Sequence, residues 1–177
     1  MVVIAISGPP GSGKTTQAKL ISQYFNLKYF SAGMLFREVA RVRGVSLEEL
    51  SRIALEDPSI DIEIDRLSIR ECLKGDIVLD GHITAWIVGD LADVRIYLTA
   101  SLLTRAYRIS KRDGIPLDRA VREILVRENI QRTRFIKFYG IDPLDLSIFN
   151  LVINSDNMGI EETFETIRVF LEKSLKR

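Results

Sequence analysis

The stretch Gly8-Pro9-Pro10-Gly11-Ser12-Gly13-Lys14-Thr15-Thr16 constrains this chain more than any other. It reads G-x-x-x-x-G-K-T, the P-loop spacing, in which glycines let backbone N–H groups turn inward onto phosphate oxygens. Before it, Val2-Val3-Ile4-Ala5-Ile6 is short, apolar and β-branched, which predicts a buried strand. After it, Lys14 to Phe25 contains neither Gly nor Pro and spaces Ala18, Ile21 and Phe25 as one helical face. Strand, glycine-rich turn and helix are the context the motif needs. The helix N-terminus adds unpaired donors and the positive end of its dipole. Lys14 is placed to bridge the β- and γ-phosphates of a nucleotide, and the Thr15 hydroxyl to face Mg²⁺. A plain connecting turn is the bland alternative. Such turns are common, whereas the full motif in this context is not.

Further strands are expected at 28–30, 76–80, 93–98 and 150–154, each short and apolar. Between them fall helices at 34–42, from Ser46, from Pro58 to about 74, at 102–113, at 117–138 and at 160–176. Ser46-Leu47-Glu48-Glu49 has capping-box form, and Asp57-Pro58 is a helix start. Gly44, Gly75, Gly114 and Gly140 follow helices as stop signals. Strands alternating with helices predict an α/β fold: a five-stranded parallel sheet covered on both faces, with right-handed crossovers. The chain reads as a single domain with core segments 1–30, 76–112 and 138–177, an inserted helical lobe at 31–75 and a lid at 113–137. Ligands of such sheets bind beyond the C-terminal strand ends. The P-loop, Ser31-Ala32-Gly33, Asp80-Gly81 and Asn154-Ser155 all follow strands directly and are expected at that one edge.

With 177 residues, 46% hydrophobic and 28% charged, the chain is long enough for one domain with a real core and is not disordered. A net charge of +1 gives no support for a nucleic-acid or anionic-membrane partner, so anion binding must come from locally placed Arg and Lys. One cysteine, Cys72, excludes an internal disulfide, and one histidine, His82, excludes a His-rich metal cluster. There is no apolar run of membrane-spanning length and no basic leader ahead of an apolar stretch, which makes a cytoplasmic location the expectation.

Asp80 closes an apolar strand, where a carboxylate beside a P-loop holds Mg²⁺, directly or through water. Its alternative role is a cap before Gly81. Arg105, Arg108 and Arg112 share a helix face at i, i+3 and i+7, and Arg127, Gln131 and Arg134 share another. On an arbitrary helix these rows would be solvated basic faces. Next to a P-loop that supplies one lysine, guanidinium forks suit the charge that phosphoryl transfer spreads over several oxygens. No catalytic base is required if the acceptor is itself an ionised phosphate.

Four patches make the chain resemble nucleoside monophosphate kinases, and most of all the archaeal type of cytidylate kinase: GPPGSGKTT at 8–16, SAGMLFRE at 31–38, VLDGHITAW at 78–86 and RENIQRTRFIKFYGID at 127–142. The resemblance implies transfer of the γ-phosphoryl of ATP to CMP, and also to dCMP, with Mg²⁺. It implies small-molecule substrates and a monomer, with an oligomer left open. Gly8 to Thr16 would bind ATP together with Arg108, against the adenine, and Arg112, at its phosphates. Lys14, Arg112, Arg127 and Arg134 would be the catalytic cations, with the last two closing over both nucleotides. Ser31, Gly33, Arg37, Gly81, His82, Gln131 and Arg134 would line the acceptor site, with Arg37 gripping its phosphate, and Thr15 and Asp80 would hold the metal. Met34, His82 and Gln131 depart from the family pattern. His82 is read as a neutral donor or a cation replacing part of an arginine's phosphate contact. Met34 supplies no strong acceptor for the cytosine amine, so Asp61 and Asp65, one turn apart on the helix opened by Pro58, are the candidates to read it. Trp86 and Tyr139 are better read as packing than as base-stacking residues. Acceptance of UMP or AMP, a nucleotide-dependent switch and a non-catalytic nucleotide-binding module stay open as alternatives.

Overall fold

β1 (Val3–Ser7), β2 (Lys28–Ser31), β3 (Ile77–Asp80), β4 (Val94–Thr99) and β5 (Leu151–Asn154) form one parallel sheet in the order β2-β3-β1-β4-β5. The coordinates are a computed structural model that describes residues 1–175. All five residues of β1 are buried, as a central parallel strand covered on both faces requires. Its side chains alternate between two cores. Ile4 and Ile6 join Ile96, Leu98 and Ile153 under α1 (Lys14–Tyr24) and α8 (Ile160–Ser174), through Ala18, Ile21, Ile167 and Leu171. Val3 and Ala5 join Ile77 and Leu79 on the other face, under Cys72 and the short α5 (Thr84–Val88).

α2 (Ala32–Arg43), α3 (Leu47–Glu56) and α4 (Ser59–Cys72) stand between β2 and β3 and carry their own core of Phe36, Ala40, Leu50, Ala54, Ile60 and Ile64. α6 (Leu102–Asp113) and α7 (Leu117–Tyr139) pack through Ala106, Ile109, Ala120 and Ile124. α7 continues one residue past the expected end, through the lid boundary at 137/138. It also leaves α6 to lie along α3, so it joins the core to the helical lobe.

The expected strands are all present, most shifted by a residue at an end. Two local readings change. Ser31-Ala32-Gly33 is not a free turn: α2 begins at Ala32, and the Ser31 hydroxyl caps it by accepting from Met34 N at 3.2 Å. α5 and the 3₁₀ turn at Gly89–Leu91 were not expected. Five residues are too short to show helical periodicity. The Ser7 hydroxyl anchors α5 by accepting from Ala85 N at 2.9 Å, a tertiary contact with no local signature. Lys176, the expected end of the last helix, lies outside the described residues. Among the described residues, no helix is long and apolar enough to cross a membrane.

Candidate active site

A cleft of about 870 Å³ opens at the C-terminal edge of the sheet, between the P-loop, the helical lobe and α7. Every predicted site residue lines it except Pro9, whose carbonyl instead accepts from Lys14 Nζ at 2.7 Å. Met34 stays outside the lining and is about half exposed. Two glycines are required by geometry as well as by motif. A Cβ on Gly8 (φ 147°) would lie 2.0 Å from Leu98 O, and one on Gly11 (φ 79°) 2.7 Å from Arg105 O. The loop is therefore pressed between β4 and α6, and its remaining open side faces the cleft. The Asp80–His82 turn is tied to it, with Gly8 N donating to His82 O at 3.4 Å, while Gly81 N donates to Ile6 O of β1 at 3.1 Å.

The electrostatics are those of an anion-binding site. Burial lowers the Lys14 ammonium to about 7; Asp80 opposes the shift, and Arg127, Arg105 and Arg37 add to it. Burial also lowers Arg127 to about 10, with repulsion from Arg37, Arg112 and Arg134 behind it. Arg127 Nε is buried without a hydrogen-bond partner. At the rim, Arg112 forks onto Asp113 at 2.7 Å. Arg108 donates to Ser12 O at 3.2 Å and to Ser155 Oγ and O at 3.0 and 3.1 Å, which joins the P-loop to the turn after β5.

Asp80 is held on both oxygens. The Thr15 hydroxyl donates to Oδ2 at 2.7 Å and the Tyr29 hydroxyl to Oδ1 at 3.3 Å. A hydroxyl and a carboxylate oxygen side by side are hard ligands that fit Mg²⁺. Among the described residues no group of three or more His, Cys, Asp or Glu side chains could cage a metal. A divalent ion at this position would therefore rely on nucleotide phosphates for the rest of its shell.

On the acceptor side the pairings were not legible in the sequence. Arg134 is 2% exposed, sandwiched against the Phe36 and Phe135 rings, and sits 2.8 Å from Asp61 through Nε and Oδ2. The N–H does not point along that line, so both atoms lack a proper hydrogen bond. Asp65 accepts from the Tyr139 hydroxyl at 2.5 Å; burial, with Asp61 close by, raises its carboxyl to about 6 against the opposing effect of that bond. Trp86 packs with Phe149 and Tyr97, as expected for a core residue.

Of the two readings of His82, the neutral one fits its surroundings. Burial, followed by the neighbouring Lys14 charge, lowers it to about 3, against the Gln131 hydrogen bond that favours the cation. It is neutral at physiological pH, and its Nδ1 is engaged by Gln131 Oε1 at 2.7 Å. Burial first and the surrounding positive charge second disfavour His82 as a cation, which leaves the neutral alternative. Tyr29, Glu128 and Ser155 are site-shaping residues that sequence reasoning missed. Only Ser155 carried a signal, through its place directly after a strand.

Comparison with known proteins gives concordant results. A family described as "AAA domain" matches residues 7–114. A cytidylate kinase of Staphylothermus marinus is 60% identical over 99% of this chain and 99% of its own length. One from Desulfurococcus amylolyticus is 58% identical over 99% of this chain and 96% of its own. Among solved structures, shikimate kinase from Bacteroides thetaiotaomicron superposes with a TM-score of 0.63 at 15% identity, covering 97% of this chain and 98% of that one; at that identity the likeness is one of fold.

Proposed function

Since the chain belongs to the cytidylate kinase family, we propose that this cleft transfers the γ-phosphoryl group of ATP to CMP, giving ADP and CDP. The observation that carries the site assignment is the convergence of Lys14, Arg37, Arg112 and Arg127 on one cleft, with Arg127 Nε buried and lacking a hydrogen-bond partner. Such a cluster is costly unless polyanionic ligands complete it.

In this reading the P-loop amides and Lys14 hold the β- and γ-phosphates of ATP, and Arg37 holds the CMP phosphate. A CMP phosphate oxygen forms a bond to the γ-phosphorus as the bond to the β,γ-bridging oxygen breaks. The acceptor phosphate is already ionised, so no residue has to remove a proton. Lys14, Arg112 and Arg127 stabilise charge on the transferred group. Lys14 and Arg127 act from within the cleft, where charge is poorly screened, and Arg112 acts from its rim. Mg²⁺, held by Thr15 and by Asp80 directly or through water, would neutralise phosphate charge when bound. Closure of the helical lobe and α7 over both nucleotides excludes water.

Asp61 and Asp65 stand on the cleft wall nearest the lobe and are the groups we assign to the cytosine amine. Asp61 Oδ2 is buried and faces Arg134 Nε at 2.8 Å without an aligned hydrogen bond, which leaves it acceptor capacity for that role. ATP and CMP are the partners in this reading, with a monomer working in the cytoplasm. The direct test is label transfer from γ-labelled ATP. Label should appear in the β-phosphate of CDP only when CMP is present, and its appearance as inorganic phosphate irrespective of CMP would indicate a switch-type ATPase.

A further inference from the structure

Arg105 does not serve as a free phosphate ligand. It is 7% exposed and does not line the cleft, and Nε and Nη1 are engaged within the protein: Nε donates to Ala100 O at 2.9 Å, and Nη1 donates to Pro10 O at 3.1 Å and to Glu128 Oε1. Pro10 belongs to the P-loop, Arg105 to α6 and Glu128 to α7. One guanidinium therefore connects the phosphate-binding loop to the helix that carries Arg127, Gln131 and Arg134. Gly11 fits so closely against Arg105 that a Cβ there would lie 3.0 Å from the Arg105 Cβ, so the loop and Arg105 must move together.

The position of Glu128 along α7 matters. The buried apolar α6–α7 cluster reaches Ile124 on α7, and the polar contacts of α7 with the lobe lie further along, at Arg134, Lys137 and Tyr139. Between these two anchors lies the segment that holds Arg127 over the cleft. Among the described residues its side-chain ties are Gln131 on His82, the exposed fork of Arg132 on Asp142 just beyond the helix, and Glu128 on Arg105, of which Glu128 alone reaches a side chain that itself bonds the P-loop. Arg127 is repelled by Arg37, Arg112 and Arg134, so an untethered α7 would swing it outward.

We propose that Glu128 is a positioning residue for phosphoryl transfer: through Arg105 it holds α7, and Arg127 with it, in register with the P-loop. This rests on the kinase reading above. It touches no substrate in this role. Because Arg127 acts most strongly on charge that develops during transfer, loss of register should affect turnover more than binding.

The test is Glu128→Gln, which keeps the shape and one acceptor oxygen, compared with wild type by thermal unfolding and by initial rates with ATP and CMP. The expected result is a kcat lowered about tenfold or more with KM for each substrate within about threefold, and a folded protein at assay temperature. The double variant Arg105→Met/Glu128→Gln should lose no more kcat than Arg105→Met alone, because the two act through one contact. An unchanged kcat in Glu128→Gln, or additive losses in the double variant, overturns the proposal. Wild-type turnover with CMP is the control. Its absence would remove the kinase reading and this inference together, whereas wild-type turnover beside an unaltered Glu128→Gln removes the inference alone.

Discussion

Lys14 shows how a single residue reports the state of the whole site. Its folded-state pKa of about 7 lies below the ordinary lysine value of 10.5, chiefly through burial. Between those two values the unfolded chain binds a proton that the folded chain does not. Its contribution to stability is therefore present above pH 10.5 and is lost as pH falls towards 7. Denaturant unfolding should show wild type gaining stability from pH 7 to 9.5 relative to Lys14→Met, by at most about 1.4 kcal/mol per pH unit. The same variant should lose turnover by several decades while remaining folded, since the methionine fills the stem but not the charge. A parallel pH slope in both proteins would contradict the depressed ammonium. His82 offers a cleaner readout because it is the only histidine. Its single imidazole resonance should stay in the neutral position from pH 8 down to about 4.5, given a folded value of about 3. An inflection near 6.5 would restore the cation that the structure rejects.

α7 is the element on which the site closes, and its arginines separate by what they touch. Arg127 has a buried Nε without a partner and is repelled by other arginines, so Arg127→Ala should cost little stability while lowering kcat roughly 10²-fold. Arg134 is 2% exposed and faces Asp61, so Arg134→Ala leaves a buried carboxylate alone and should cost about 3–5 kcal/mol of stability as well as activity. Arg119 is an exposed partner of Glu123, and Arg119→Ala should match wild type in both respects. Equal small effects at all three positions would mean that α7 is a solvated basic helix. Closure can be followed by amide exchange: an analogue joining adenosine to CMP through phosphates should protect 113–137 as well as the P-loop. Protection of the P-loop alone would argue for a simple nucleotide-binding module.

At the scale of the molecule, the fold was legible because its strands are buried on both faces and so read as unbroken apolar runs. The P-loop supplied the register of the first β-α unit. The positions of the site residues were legible for a related reason: most of the motif residues fell at strand C-termini, and in a parallel sheet those ends share an edge. What they bind to one another was not legible. Asp61 with Arg134 and Glu128 with Arg105 are contacts made by docking of α7, and Tyr29 with Asp80 is a contact across neighbouring strands of the sheet; no local pattern announces any of them. The protonation of His82 was hidden likewise, since burial among cations is a tertiary property. Base choice belongs to this scale too. Asp65→Asn should relax the preference for CMP over UMP roughly 10-fold in kcat/KM if Asp65 reads the amine, while Asp61→Asn would in addition release Arg134. The most direct measurement of the central claim is ADP formation by the wild-type protein with ATP and Mg²⁺ across a panel of CMP, dCMP, UMP and AMP. The account predicts ADP formation strictly dependent on the monophosphate, with CMP ahead of UMP and AMP by roughly 10-fold or more in kcat/KM. ADP formed at the same rate with no acceptor, or an outright preference for UMP or AMP, would contradict it.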